Sequence, residues 1–142
     1  MKKKATYFLL TFLLAVLQYN CKHNSNRNPF LDNVSFSFDI NLDLPQYNTL
    51  KYPGNALYIA QGGLRGVFVY NTGSGYNVFE ASDPNHYPSD CSTMELSGLQ
   101  VRCPCEGNTY SLSDGGPVQG NVTYPLKPYR SRLNGNILTI YN

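Results

Sequence analysis

The sequence has few of the residues on which most enzymes depend. Charged residues make up only 14 % of the 142 residues, and the chain has only two histidines, one of them near the N-terminus. Little material is therefore available for acid–base catalysis. Gly-x-Ser-x-Gly, His-Glu-x-x-His and glycine-rich phosphate-binding motifs are absent. The sequence predicts no catalytic residue, and an enzymatic function has little support.

An excess of basic charge is also missing. The formal charge of the whole chain is +2, but three of its 11 basic residues are Lys2, Lys3 and Lys4, so the chain from residue 21 onward carries 8 basic and 9 acidic residues. Non-specific nucleic-acid binding requires a basic field, so no nucleic-acid partner is expected. The acidic residues of the central region are predicted to be solvated loop charges: Asp83, Asp90, Glu95 and Glu106.

No segment beyond residue 20 has the 3.6-residue apolar period of a helix. Apolar and polar residues alternate from Val34 to Leu44, which is typical of a strand with one buried face. Two hairpins are predicted, one joining residues 67–70 to 76–79 and one joining 129–133 to 137–141 across Asn-Gly. Further short strands are predicted at 56–60, 99–102 and 109–112. The fold class is therefore all-β, a small sandwich of antiparallel sheets.

The N-terminal segment has the features of an export signal. Three lysines precede the eleven apolar residues Tyr7–Leu17, a length that is typical of a signal peptide and too short to span a bilayer. Cys21 follows closely and resembles the acylated cysteine of bacterial lipoproteins. We therefore expect a signal peptide over 1–20 and a polar tether over 21–32. Cleavage slightly later, with Cys21 lost or left as a free thiol, is the alternative.

This interpretation places the protein outside the cytoplasm. Acylated Cys21 would anchor it in the lipid bilayer of the bacterial cell envelope, at the periplasmic face or in the outer membrane. The remaining residues, 33–142, are long enough for one domain with one core.

A more specific pattern lies between Asp83 and Leu112. Pro84-Asn85-His86 is followed, after sixteen residues, by Cys103-Pro-Cys-Glu-Gly-Asn-Thr-Tyr110. The pattern resembles that of Rieske [2Fe–2S] domains, which read Cys-x-His and then Cys-x-x-His. The resemblance extends over about residues 33–142 and is nearest to small Rieske-like lipoproteins. It implies a Rieske-like β domain in which two thiolates hold one iron and two imidazoles hold the other.

Two of the four ligand positions carry the wrong residue in this resemblance. His86 and Cys103 stand where the family has a histidine and a cysteine, whereas Glu106 replaces the second histidine and Pro84 replaces the first cysteine. A carboxylate can bind iron, but proline has no donor atom. No cofactor is therefore expected. The alternative is an altered 2Fe–2S cluster or a single metal ion held by His86, Cys103 and Glu106.

The resemblance also implies a disulfide between the two loops. Many Rieske domains form such a bridge through the position that Cys105 occupies here, which makes Cys91 its expected partner; pairing of Cys91 with Cys103 stays open. A bridge of this span would contribute about 3 kcal/mol. Zinc held by His86 and the three cysteines is a weaker alternative, because one-residue spacing is unusual and exported thiols oxidise.

These observations lead to one functional expectation. The chain is predicted to be a membrane-anchored lipoprotein with a degenerate Rieske-like domain that has lost normal cluster ligation. Such a domain would serve as a non-catalytic binding or assembly module for an unidentified envelope protein. The alternative is an electron-transfer protein with an altered cluster or a mononuclear metal centre.

Overall fold

Two antiparallel sheets are built from ten short strands within residues 28–142, the part of the chain that the computed structural model describes. The strands are β1 Ser37–Asn41, β2 Ala56–Ile59, β3 Val67–Asn71, β4 Tyr76–Glu80, β5 Glu95–Ser97, β6 Gln100–Arg102, β7 Thr109–Ser111, β8 Pro117–Gln119, β9 Pro128–Asn134 and β10 Ile137–Tyr141. A 3₁₀ helix covers Asn48–Lys51. Within the described residues, no helix is long and apolar enough to cross a bilayer.

The first sheet contains six strands in the order β1-β10-β9-β4-β3-β2. Both predicted hairpins are confirmed: β3 pairs with β4 from Val67↔Glu80 to Asn71↔Tyr76, and β9 pairs with β10 across Asn134-Gly135. Gly135 has φ +59°, a backbone conformation that a tight hairpin turn needs and that glycine adopts without strain. The all-β prediction is therefore correct.

The second sheet contains four strands in the order β5-β6-β7-β8. Two loops emerge at one end of it. The first loop is residues 81–94, between β4 and β5, and the second loop is residues 103–108, between β6 and β7. Since β6 and β7 are adjacent and β5 pairs with β6, the two loops lie side by side.

Two apolar cores hold the sheets together. Strand β3 separates them, because its residues are buried on both faces: Val67 and Val69 pack into one core and Phe68 packs into the other. The Phe68 core also contains Cys103 and Tyr110 from the region of the second loop. The loop region is therefore packed on the sheet and is not a loosely attached appendage.

Strand β1 is shorter than the strand that the alternation of residues 34–44 predicts. Ser37–Asn41 pairs with β10, and Asn41 is opposite Ile137, the first residue of that strand. Beyond Asn41 no partner strand continues, and Leu44 N donates instead to Asn41 O in a turn at 3.1 Å. The apolar pattern predicted the buried face correctly, but the length of the partner strand set the end of β1.

The predicted signal peptide and Cys21 lie outside the described residues, as does the predicted tether up to residue 27. The last tether residues, 28–32, are packed on the domain: Leu31 is only 4 % exposed, and Asn28 Nδ2 donates to Pro84 O at 2.7 Å. Lys127 Nζ donates to Asp32 O at 2.7 Å. The packed part of the chain therefore begins earlier than residue 33, because apolar residues among these polar ones find partners that are distant in sequence.

Candidate functional site

The two loops are joined by a disulfide between Cys91 and Cys105. Their Cα atoms are 5.3 Å apart, and the bond closes a segment with a sequence separation of 14 residues. Cys91 is exposed and Cys105 is half-buried, so the bond lies at the surface of the loop pair. Ser89 Oγ lies 3.6 Å from Cys91 Sγ and 3.7 Å from Cys105 Sγ.

Beneath the disulfide, His86 of the first loop contacts Cys103 of the second. The distance between His86 Nε2 and Cys103 Sγ is 3.2 Å, and His86 Nδ1 lies 2.9 Å from Tyr87 O. A carbonyl oxygen can only accept, so Nδ1 carries a proton, and in that tautomer Nε2 is an acceptor. The Cys103 thiol therefore donates to His86, and the imidazole is already oriented toward sulfur.

Cys103 is the free thiol of the described chain, and it is fully buried. Burial, followed by the nearby Asp83 carboxylate, raises the pKa of the thiol to about 11. At neutral pH the sulfur is therefore protonated. A thiol in this state is a poor nucleophile, and the His86–Cys103 pair is not an activated catalytic dyad.

The centre of the site is occupied by the carboxylate of Asp83, which is 0 % exposed. Asp83 Oδ1 accepts from Tyr110 Oη at 2.7 Å and from Asn85 N at 2.9 Å, and Oδ2 accepts from Asn108 Nδ2 at 3.1 Å. His86 Nε2 lies 3.8 Å from Oδ2. Burial and then the bond to Asp83 raise the pKa of the Tyr110 hydroxyl far above its ordinary value. The prediction that Asp83 is a solvated loop charge is wrong.

Asn85 extends this network to a third segment, residues 120–126. Its Oδ1 accepts from Thr123 N at 2.7 Å and from Tyr124 N at 2.9 Å, while its Nδ2 donates to Tyr110 Oη at 2.8 Å. Gly120, with φ +114°, lies so close to Asn108 that a Cβ atom there would be 3.1 Å from the Asn108 Cα. The segment is therefore closely apposed to both loops, and a larger residue at position 120 would not fit.

An aromatic rim borders the site at the surface. The Phe30 ring contacts the Tyr87 ring edge-on with centroids 5.2 Å apart, and it contacts the Tyr124 ring at 6.1 Å. Tyr87 is 70 % exposed. We use "aromatic rim" below for Phe30, Tyr87 and Tyr124.

The four positions of the Rieske ligand set do not form a complete set of donors. Pro84 is buried, offers no donor atom, and contributes only its carbonyl as acceptor for Asn28. Glu106 is exposed, and its Oε2 accepts from Asn108 Nδ2 at 3.3 Å. The Asp83 carboxylate is buried beside His86 and Cys103 with all its donors in place. The residues present therefore do not fit a normally ligated [2Fe–2S] cluster.

A different group of donors is close enough to share one metal ion. In the described part of the chain, the donor atoms of His86, Cys103 and Cys105 all lie within 4.8 Å of one another. The sequence-predicted set contained Glu106 in place of Cys105. In the structure Cys105 Sγ is bonded to Cys91, so this sulfur is withheld while the disulfide is intact.

A second buried carboxylate lies in the six-stranded sheet and was not identified from the sequence. Glu80 is 0 % exposed and accepts from three backbone amides, those of Leu64, Arg65 and Ser82, at 2.7 to 3.0 Å. Tyr129 Oη donates to Glu80 Oε2 at 2.7 Å. Glu80 thereby holds the loop between β2 and β3 against β4. Its position at the end of an apolar strand gave no sign of this role.

Comparison with known proteins shows the fold. No protein-family model and no curated protein sequence matches the chain. Among solved structures, a chain from the complex of reduced oxygenase and oxidized ferredoxin in carbazole 1,9a-dioxygenase is similar at 18 % identity, with a TM-score of 0.50 over 78 % of this chain and 94 % of that chain. The predicted Rieske-like β fold is therefore confirmed.

Two ferredoxin structures are similar at lower scores. The Sphingomonas yanoikuyae B1 ferredoxin is 18 % identical over 64 % of this chain and 88 % of its own, with a TM-score of 0.46. The ferredoxin of carbazole 1,9a-dioxygenase from Nocardioides aromaticivorans IC177 is 15 % identical over 63 % of this chain and 86 % of its own, with a TM-score of 0.44.

Proposed function

We propose that this chain is an envelope lipoprotein whose Rieske-like domain works without an iron–sulfur cluster, as a non-catalytic binding or assembly module. The observation that carries the proposal is the buried Asp83 carboxylate. It joins the first loop to the second through Asn108 and to β7 through Tyr110, in the region where the family pattern calls for cluster ligands. The loops are thus held by polar side chains and a disulfide.

The chemistry of the ligand positions supports this proposal. A Rieske cluster needs two sulfur and two imidazole donors, and here proline and an exposed glutamate hold two of the four positions. No step that depends on a cluster is therefore included in the proposed function.

The surface of the site supports a binding role. The aromatic rim combines an exposed apolar area with hydroxyl groups, a composition that is enriched at protein interfaces. Exposed Glu106 lies on the second loop of the same site. Since the disulfide and the Asp83 network fix the loops, these groups are presented in one arrangement, which lowers the entropy cost of binding a partner.

Iron and acid-labile sulfide, measured on the full chain purified without air, test the absence of a cluster. We expect both to be far below stoichiometric and the visible spectrum to be free of cluster absorption. Two irons and two sulfides per chain would overturn the proposal.

A photo-reactive amino acid at position 87 tests the binding role in living cells. Tyr87 is 70 % exposed on the aromatic rim, and Tyr52, at 66 % exposure away from the rim, is the matched control. Illumination is expected to yield a discrete adduct with one envelope protein from position 87 and none from position 52. Equal adducts from both positions, or none from either, would count against a partner at the rim.

The proposed anchor has its own test. Fatty-acid labelling of the expressed chain should be lost in Cys21→Ala, and the variant should leave the membrane fraction because its acyl chains are missing. Labelling that persists in Cys21→Ala would contradict anchoring at Cys21.

A further inference from the structure

Four metal-binding side chains converge at the junction of the two loops, and a disulfide keeps two of them from acting as ligands. The donor atoms of His86, Cys103 and Cys105 lie within 4.8 Å of one another, and the Cys91 sulfur is covalently attached to that of Cys105. Cys103 Sγ also lies 4.0 Å from Cys91 O, so the Cys91 backbone borders the same space.

We propose that this cluster is a redox-conditional zinc site: reduction of the Cys91–Cys105 disulfide creates a Cys₃His set that binds one Zn²⁺. The proposal goes beyond the proposed function, because a binding module without an iron–sulfur cluster neither requires nor excludes a zinc site. It also differs from a Rieske centre in its ligands, since Cys91 and Cys105 take the place of the missing donors at positions 84 and 106.

The geometry fits tetrahedral zinc. Zinc–sulfur and zinc–nitrogen bonds of about 2.3 and 2.0–2.1 Å place neighbouring donors of a tetrahedral site about 3.5–3.8 Å apart. His86 Nε2 and Cys103 Sγ, at 3.2 Å, are slightly closer together than this spacing. No two of the three donor atoms are more than 4.8 Å apart, about 1 Å more than this spacing. Small side-chain movements therefore bring these three donor atoms to the spacing of a tetrahedral site, and reduction allows the Cys91 and Cys105 sulfurs to separate to the same spacing.

The histidine is already held in the orientation that a ligand needs. Its Nδ1 proton is donated to Tyr87 O, which leaves the Nε2 lone pair directed at Cys103 Sγ. Zinc-bound histidines commonly have such an outer hydrogen bond, which fixes the tautomer and the ring orientation. No carboxylate is needed in the set, and exposed Glu106 is free to bond Asn108.

The chemical step requires a reductant of the dithiol class. The dithiol gives up two electrons and two protons and becomes a disulfide; the Cys91–Cys105 bond breaks and two thiols form. Binding of Zn²⁺ then displaces one proton from each of Cys91, Cys103 and Cys105, while neutral His86 binds through Nε2. Oxidation of the two outer thiols would reverse the sequence and release the ion.

Cobalt titration of the full chain tests the site, with Cys21→Ala in every sample so that no thiol from the N-terminal segment contributes. One portion is reduced with a phosphine, freed of the reductant under argon and titrated with Co²⁺; the other keeps its disulfide. We expect the reduced protein to bind one equivalent, with thiolate-to-cobalt charge-transfer absorption that Zn²⁺ abolishes. The oxidised protein is expected to show no such absorption.

Variants identify the ligands. Cys103→Ser and His86→Gln should each weaken Zn²⁺ binding by more than the roughly 10–100-fold that loss of an outer partner costs, whereas Glu106→Gln should leave it unchanged. His86→Gln is a second route if Cys103→Ser fails to fold, because the His86 side chain is 16 % exposed and not part of the apolar core.

Several results would overturn the proposal. Equal cobalt spectra for the oxidised and reduced protein would show that the disulfide does not control binding, and failure of the reduced protein to bind one equivalent would show that the site does not form. Unchanged affinity in His86→Gln would also contradict it. Each result is independent of iron and sulfide content, so failure of the zinc site and failure of the cluster-free proposal are distinguishable.

Discussion

Two buried carboxylate–tyrosine pairs occur in this domain, and they differ in what surrounds them. Glu80 and Asp83 are both 0 % exposed, and each accepts a tyrosine hydroxyl at 2.7 Å, from Tyr129 and Tyr110 respectively. Glu80 also accepts three backbone amides, whereas Asp83 accepts one backbone amide and one side-chain amide, that of Asn108. The donors to Glu80 are therefore mainly backbone amides, and the donors to Asp83 are mainly side chains.

The difference separates a structural role from a functional one. Two of the backbone amides around Glu80, those of Leu64 and Arg65, belong to the loop between β2 and β3, and the third, that of Ser82, directly follows β4, so Glu80 holds that loop against β4. The partners of Asp83 come from both site loops, and His86 and Cys103 lie beside it. A network of side chains can be altered residue by residue while the sheet is kept.

Removal of the two carboxylates should show the largest contrast. Glu80→Ala leaves three backbone amides and the buried Tyr129 hydroxyl without their acceptor and should lower the free energy of unfolding by about 3–5 kcal/mol. Asp83→Ala should cost about 1–3 kcal/mol, because Asn108 keeps Glu106 as acceptor and Tyr110 keeps its contact with Asn85. Urea unfolding at neutral pH measures both.

The control for this pair is Glu95→Ala, at an exposed position on β5, which should stay within about 0.5 kcal/mol of the parent. If Asp83→Ala costs as much as Glu80→Ala, the two pairs play the same structural role and the contrast is lost.

Reduction of the disulfide should affect only the loop region. Opening the Cys91–Cys105 bond, with its separation of 14 residues, should cost about 3 kcal/mol in the chain-entropy model. For Glu80→Ala, the combined cost of substitution and reduction should equal the sum of the two separate costs within about 0.3–0.5 kcal/mol. For Asp83→Ala, the combined cost should differ from that sum by more, because Asp83 and the disulfide join the same two loops. Urea unfolding of the three proteins with and without a phosphine gives the coupling, and additivity at Asp83 would argue against a shared role.

Loss of the tyrosine hydroxyls should give a smaller contrast, with the larger cost now at the Asp83 pair. Tyr110→Phe should cost about 1.5–3 kcal/mol, because Asp83 keeps only two of its donors and Asn85 loses an acceptor. Tyr129→Phe should cost about 0.5–1.5 kcal/mol, since Glu80 keeps its three backbone amides. Unfolding midpoints compared at the same pH test this order, and the reverse order would contradict it.

The smallest effect concerns Cys103 and pH. Because burial raises its pKa from 9.0 to about 11, the folded state holds the thiol proton more tightly than the unfolded state. The stabilisation that results from this raised pKa is fully present below pH 9 and is lost as the pH rises toward 11. Thiolate absorbance of the folded chain, measured against Cys103→Ala with Cys21→Ala in both, should titrate near pH 11, and a midpoint near 9 would show that the sulfur is solvated.

The sequence was sufficient for the sheets but not for the centre of the site. Apolar runs on either side of a glycine-containing loop predicted β3 and β4, and an Asn-Gly turn predicted β9 and β10, because these features act between neighbours in sequence. Strands β5 and β8 were missed, since neither has a buried residue that an apolar pattern would mark. The Rieske-like fold was implied by the resemblance of residues 83–112 to the two-loop pattern of that family.

The buried acids could not be found in this way. Asp83 and Glu80 are buried because tyrosines 27 and 49 residues further along the chain donate to them, and no local pattern reports such partners. The bond from Asn85 N to Asp83 Oδ1 is a local turn signal, but it is equally common in exposed loops.

The most direct test of the central claim is an electron paramagnetic resonance spectrum of the full chain, purified without air and reduced with dithionite at low temperature. The account predicts a spectrum without a two-iron signal, because a buried carboxylate network and a disulfide hold the loops. A signal from a reduced [2Fe–2S] centre that integrates to one spin per chain would contradict it.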